Sequence, residues 1–186
     1  MKKKLLLIVL FICTLTLVSG CTDNTKKDDR NTLSLNDEKY GYLTTFKYDK
    51  NDDFKITNTE TSGKFAEIEF ESEKNNLEFQ IYYFQEIEAS WNISIKTRRE
   101  QEGFKEYTWN KKDGYIYSVN GTSFNFNIKL DTINNDGKQQ LNETIGLFGA
   151  VSKKDLTKEG TAVELFEDEN VQKFMNSLEF TRKENK

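Results

Sequence analysis

The sequence predicts an α+β domain in which helices pack on one face of a largely antiparallel sheet. Three observations carry this expectation. Apolar and polar residues alternate through Ala66, Ile68 and Phe70, through Leu77, Phe79, Ile81 and Tyr83, and through Phe124, Phe126, Ile128 and Leu130, the period-two pattern of half-buried strands. Clusters of Asn, Asp and Gly punctuate these runs at hairpin distances. Near the C-terminus the period changes, and Val171, Phe174, Met175 and Leu178 recur at i, i+3, i+4 and i+7 along one face of a helix.

The first twenty residues divide into a basic start (Lys2, Lys3, Lys4), an apolar stretch from Leu5 to Val18 and the small pair Ser19-Gly20, the plan of a secretory signal peptide. The stretch is shorter than the roughly 20 apolar residues of a membrane-spanning helix. Residues 21–39 are polar, with Leu33 and Leu35 the sizeable apolar side chains, and are expected to form a flexible tether with a coil span on the order of 20–25 Å. A single domain is expected over 40–182, followed by a disordered tail at 183–186.

Within that domain Tyr40 to Tyr48 is strand-like and Asp49 to Asp53 reads as a turn. The strands around Ile68 and Phe79 form a hairpin through Lys74-Asn75-Asn76. In the segment from Ser90 to Glu102, Trp91, Ile93 and Ile95 alternate like a strand, whereas the run Thr97 to Glu102 before Gly103 favours a helix. A short helix from near Ser90 is the expectation. The Asp113-Gly114 pair marks a hairpin between Phe104–Trp109 and Tyr115–Val119, and Asn120-Gly121 turns the chain into the strand around Phe126. Ile145 to Val151 is apolar at successive positions, as in a central strand covered on both faces, and the C-terminal helix capped by Asp168 is its expected cover. Leu178 to Thr181 reads as a last strand.

Chemistry is restricted by what is absent. There is no histidine, and of the two cysteines Cys13 lies in the signal, which excludes Ser-His-Asp and Cys-His catalysis, histidine metal sites and structural zinc. Glu67, Glu69, Glu71, Glu78, Glu86 and Glu88 are numerous, but alternation places most of them on a solvated face with ordinary acidities. Two segments approximate calcium loops: Asp49, Asn51, Asp53 and Glu60 have Phe54 where glycine belongs, and Thr132, Asn134, Asp136, Gly137 and Glu143 begin on threonine. Each reads equally as a turn. No catalytic residue, metal or cofactor is expected. A net charge of −4, made more negative by loss of Lys2, Lys3 and Lys4, lacks the basic footprint of a nucleic-acid binder.

The excess lies in aromatics: 14 Phe, 8 Tyr and 2 Trp. Alternation cannot bury them all on one side. Tyr82, Phe84, Tyr107, Trp109, Tyr115 and Tyr117 are therefore expected to form either a second small core under the helices or an exposed binding surface.

Two family resemblances follow from particular residues. Leu17-Val18-Ser19-Gly20-Cys21 resembles the lipobox of bacterial lipoproteins. That resemblance implies cleavage recognition at Val18, Ser19 and Gly20, and a Cys21 that becomes both lipid acceptor and new N-terminus. Two or three acyl chains would then hold the protein to the extracytoplasmic face of the membrane, at about 0.8 kcal/mol per buried methylene. The element order from Tyr40 to Thr181, ending in Phe174-Met175-Asn176-Ser177-Leu178-Glu179-Phe180, resembles the PsbP-like small lipoproteins and lumenal proteins. This second resemblance implies a sandwich that serves as a non-enzymatic accessory or binding protein. The expected function is a membrane-anchored, non-catalytic binding domain with a protein or peptide partner at the cell surface. The alternatives are an immunity or sequestration lipoprotein that captures a cationic membrane-active peptide, and a carboxylate-based cell-wall hydrolase.

Overall fold

The computed structural model describes residues 28–135 and 141–184. The expected antiparallel sheet is present, but strands so outweigh helices that the fold is mainly β. A small sheet sets β2 (Tyr42–Tyr48) between β1 (Asn31–Asp37) and β10 (Glu179–Glu184). A large sheet runs, in spatial order, through β3 (Lys55–Ser62), β4 (Phe65–Ser72), β5 (Leu77–Ile87), β9 (Glu143–Lys153), β8 (Ser123–Ile133), β7 (Lys112–Tyr117) and β6 (Lys105–Trp109), every neighbour antiparallel. The helices are α1 (Glu88–Arg98), α2 (Ala162–Phe166) and α3 (Glu169–Ser177).

The main core lies on one face of the large sheet. Ile68, Phe70, Phe79, Ile81, Phe124, Phe126 and Ile128 all point to it, each almost completely buried. Burial of a side chain of that size contributes roughly 1.5–3 kcal/mol. The small sheet closes this face with Phe46 and Phe180, whose rings meet edge-on at 5.0 Å. Helix α3 adds Phe174, stacked on Phe54 at 3.9 Å and edge-on to Phe70 at 5.1 Å. Its start is capped as expected, Asp168 accepting from the Asn170 amide at 2.9 Å.

The helices are not gathered on one face. Helix α1 follows β5 directly and lies on the opposite side, where Trp91 stacks on Phe84 at 5.8 Å and packs with Tyr115 and Tyr117. The reason is phase: Phe84 is one step out of register with Ile81 and Tyr83, which face the core. The segment from Ser90 thus forms the expected helix, and β9 occupies the expected central position, but its cover is α2 on one side and partly α1 on the other, not the expected C-terminal helix α3, which packs on β2, Phe54 and Phe70.

Four expectations need correction. Residues 31–37 of the expected tether are strand, because β1 pairs with β2 along its whole length and turns Leu33 and Leu35 toward the core. Lys183 and Glu184 of the expected tail likewise belong to β10, paired with Leu43 and Tyr42. The polar edge strand β3 stands after the expected turn, where no strand was expected, paired with β4 and interrupted by a bulge after Ile56. The hairpin between β6 and β7 turns at Asn110-Lys111, both at positive φ (47° and 63°), as a two-residue loop of that hand demands. Gly114 instead lies within β7 opposite Tyr107, where a Cβ would stand 2.5 Å from the Asn127 carbonyl oxygen.

Candidate functional site

Strand register arranges the face under α1 as a lattice. One transverse row reads Glu60, Glu67, Tyr82, Phe148, Asn127 and Tyr115 across β3, β4, β5, β9, β8 and β7. The next reads Asn58, Glu69, Gln80, Ala150, Asn125 and Tyr117. On the other side of the first row Phe65 stands opposite Phe84, which pairs with Gly146. The face therefore grades from carboxylates at β3 and β4, through aromatic rings at β5 and β9, to amides and phenols at β8 and β7.

Helix α1 roofs the β7–β8 end and leaves a cleft of about 540 Å³, lined among others by Phe65, Tyr82, Phe84, Glu86, Ser94, Arg98, Asn127 and Phe148. Tyr82 and Phe148 stack at 5.7 Å along its floor. Phe65 is 54% exposed at the rim, an unusual placement for a large apolar side chain. Asn127 is only 5% exposed; its Nδ2 donates to Tyr115 Oη at 2.6 Å, and its Oδ1 has no hydrogen-bond partner among the described residues. The Tyr117 hydroxyl is also buried without a partner, under the Arg98 guanidinium that lies 4.6 Å from its ring centre. Buried polar atoms are nearly always paired, so these two orphans side by side on the α1 face single it out as a place where a ligand could supply the missing partners.

Electrostatics follow the same gradient. Glu86 makes no hydrogen bond or ion pair with a described residue, and burial pushes its carboxyl above the usual range, a departure from the ordinary acidity expected for this row. Burial, and then the Glu67 carboxylate beside it, push the Tyr82 phenol up to about 12. Glu67 and Glu69 accept from the Gln80 side-chain amide at 2.7 and 3.3 Å, a neutral partner that leaves their charge uncompensated. Elsewhere the acids are matched: Lys154 donates to both Glu71 and Glu73, and Lys64 to Glu143.

The six aromatic residues singled out in the sequence divide between the two faces. Tyr82, Phe84, Tyr115 and Tyr117 belong to the α1 face, where Phe84, Tyr115 and Tyr117 are buried as a second small core and Tyr82 is half-buried on the cleft floor. Tyr107 and Trp109 sit on the main-core face and hold α3: Tyr107 Oη donates to Gln172 Oε1 at 3.2 Å and Trp109 Nε1 to the Met175 carbonyl at 2.7 Å. A continuous exposed aromatic surface is therefore replaced by a buried cluster with a short open strip beside it. Phe65, Asn127 and Phe148 complete that strip and were not anticipated. Val18, Ser19, Gly20 and Cys21 lie outside the described residues.

In the first calcium-like loop the oxygens of Asn51 and Asp53 are committed to other bonds. Asn51 Oδ1 accepts from the Asp53 amide, and Asp53 Oδ2 accepts from Lys74 Nζ at 2.6 Å and Asn170 Nδ2 at 3.1 Å. Asp136 and Gly137 lie outside the described residues. Among the described residues no cluster of three His, Cys, Asp or Glu side chains is arranged for a metal, and no helix is long and apolar enough to cross a membrane. Searches with the whole chain found no matching family model, no matching curated protein and no matching solved structure.

Proposed function

We propose that this chain is an exported lipoprotein, anchored through an acylated Cys21 at the extracytoplasmic face of the membrane, whose folded part is a non-catalytic binding or accessory domain with the α1 face as its binding site. The observation that carries the binding half is Asn127, a buried amide with an unpartnered Oδ1 in the floor of a cleft walled by half-exposed rings. Ligand sites combine an apolar concavity with a few such polar groups. The anchoring half rests on Leu17-Val18-Ser19-Gly20-Cys21 and the basic-apolar segment before it. A place among PsbP-like accessory proteins belongs to the same proposal, supported by the run from α3 through Leu178 into β10.

Two experiments test it. Cys21→Ser should abolish incorporation of labelled fatty acid and release the protein from the membrane fraction; a variant that stays with membranes overturns the anchor. For binding, the full chain in detergent is titrated with cationic, neutral and anionic peptides and with cell-wall oligosaccharides, followed by amide chemical shifts. At least one should perturb Phe65, Tyr82, Asn127 and Phe148 together. A face that responds to none overturns the site.

A further inference from the structure

The ligand class can be narrowed from the spacing of charge along β5. Side chains on one face of a strand recur every second residue, so Tyr82, Phe84 and Glu86 point into the cleft in succession, about 6–7 Å apart. At the first station the ring pair Tyr82–Phe148 is flanked by Glu67 on β4 and by the Asn127 oxygen on β8. At the second, Phe84 and the exposed Phe65 face each other across β5 and β4. At the third stands Glu86, an unpaired carboxylate partly withdrawn from water. The stations thus read acceptor with aromatic ring, apolar, acceptor.

The first and third stations favour a cation for independent reasons. An ammonium or guanidinium is attracted to a ring face and more strongly to one beside carboxylates, and no cation among the described residues pairs with Glu67, Glu69 or Glu86. Glu60 and Glu67 are like charges in directly paired positions, which strand pairing disfavours and a positive ligand relieves. Arg98 is the cation lining the cleft, and it is turned onto the Tyr117 ring. The cleft also continues past Gln80 and Ala150 into a second depression lined by Glu69 and Glu78, beside the Lys154-paired Glu71, so the acceptor surface is longer than a small amine.

Resting on the α1 face being a binding site, we propose that it takes an extended peptide lying along β5, with lysine or arginine at i and i+4 and an apolar residue at i+2. The four-residue interval is that from Tyr82 to Glu86 on the strand below, since two extended chains share one rise per residue. The basic side chains meet Glu67 with the Tyr82–Phe148 pair, and Glu86; the apolar one meets Phe65.

The test uses the full chain in detergent and fluorescent heptapeptides read by anisotropy. The in-register peptide has lysine at positions 2 and 6, leucine at 4 and serine elsewhere; the register control has the same composition with lysine at 2 and 3; a third peptide replaces lysine by glutamate. The in-register peptide should bind at least about tenfold tighter than the register control, lose affinity as salt screens the charges, and lose about threefold to tenfold with Glu67→Gln or Glu86→Gln. Equal binding of the register control, binding untouched by both substitutions, or binding of spermine as tight as the peptide would each overturn the proposal. So would an oligosaccharide or the glutamate peptide perturbing Asn127 and Phe148 where the lysine peptides do not, an outcome that leaves the binding face itself standing. Silence from every ligand would remove both.

Discussion

On the core face of the large sheet, Ile68, Phe79, Ile81 and Phe126 are sealed within the main apolar cluster. One residue along the same strands, on the α1 face, the corresponding positions hold Glu67, Gln80, Tyr82 and Asn127, with exposed Phe65 beside them and two buried polar atoms unpartnered. An orphaned buried polar group costs about 1–3 kcal/mol; on the core side the unpartnered nitrogens of Arg182 belong to a guanidinium held 4.7 Å from the centre of the Tyr83 ring, whereas on the α1 face Asn127 Oδ1 opens on a cleft. The two faces therefore separate tasks: one supplies the stability that lets the other keep imperfect, ligand-accepting chemistry.

The comparison can be broken most forcefully at Phe174, which touches Phe54, Phe70 and Tyr48. Phe174→Ala should cost about 3–5 kcal/mol in urea unfolding, enough to threaten the fold. Trp91→Ala should cost less, about 2–3 kcal/mol, because its cluster is small. Its effect should be local, with amide exchange accelerated in α1 while β4 and β5 stay protected. Equal global loss from both would mean that the α1 face is as structural as the core.

Alkaline titration gives a smaller, graded effect. Burial pushes the Tyr117 and Tyr107 phenols up to about 12, so the folded state favours their neutral forms. Their contribution is present below the ordinary tyrosine value of 10 and is lost as pH rises from there toward 12. Phenolate absorbance should show these rings ionising late, and circular dichroism should show unfolding in the same window; release of all eight tyrosines near pH 10 would contradict the burial. The smallest change is expected from Tyr115→Phe combined with Asn127→Leu, which removes the buried hydrogen bond together with the orphaned oxygen. Stability should stay within about 1 kcal/mol or rise, while cleft binding falls. A large destabilisation would make Asn127 a structural residue.

Much of the core face was legible because period-two alternation is local. The edges were not: β1 and β3 owe their strand conformation to backbone pairing with β2 and β4, and their polar side chains carry little of that signal. The hairpin at β6–β7 was misplaced because Asp113-Gly114 is the stronger turn dipeptide, yet Gly114 serves close strand approach and Asn110-Lys111 makes the turn. Grouping Tyr107 and Trp109 with Tyr115 and Tyr117 confused nearness in sequence with a shared face. Across this hairpin Tyr107 pairs with Gly114, so Tyr115 must point the other way. The capping box Thr161–Glu164 was readable in principle as the start of α2. Asn127 and Phe148 could not have been identified, because only the return of α1 over β5 and β9 turns a wet strand face into a cleft.

The clasp at the entry to β1 sets which way the domain looks. Asp28 receives Lys47 at 2.9 Å, and Arg30 holds Asp28 and Glu179 at 2.9 and 2.7 Å, pinning the incoming chain to the small sheet. That sheet caps the core on the side away from α1. With Cys21 anchored as proposed, the six residues 22–27 reach at most about 20 Å, so the bilayer lies on the clasp side and the cleft opens outward. A molecule arriving from the aqueous side would meet the binding face first, whereas one already dissolved in the membrane would have to travel around the domain to reach it.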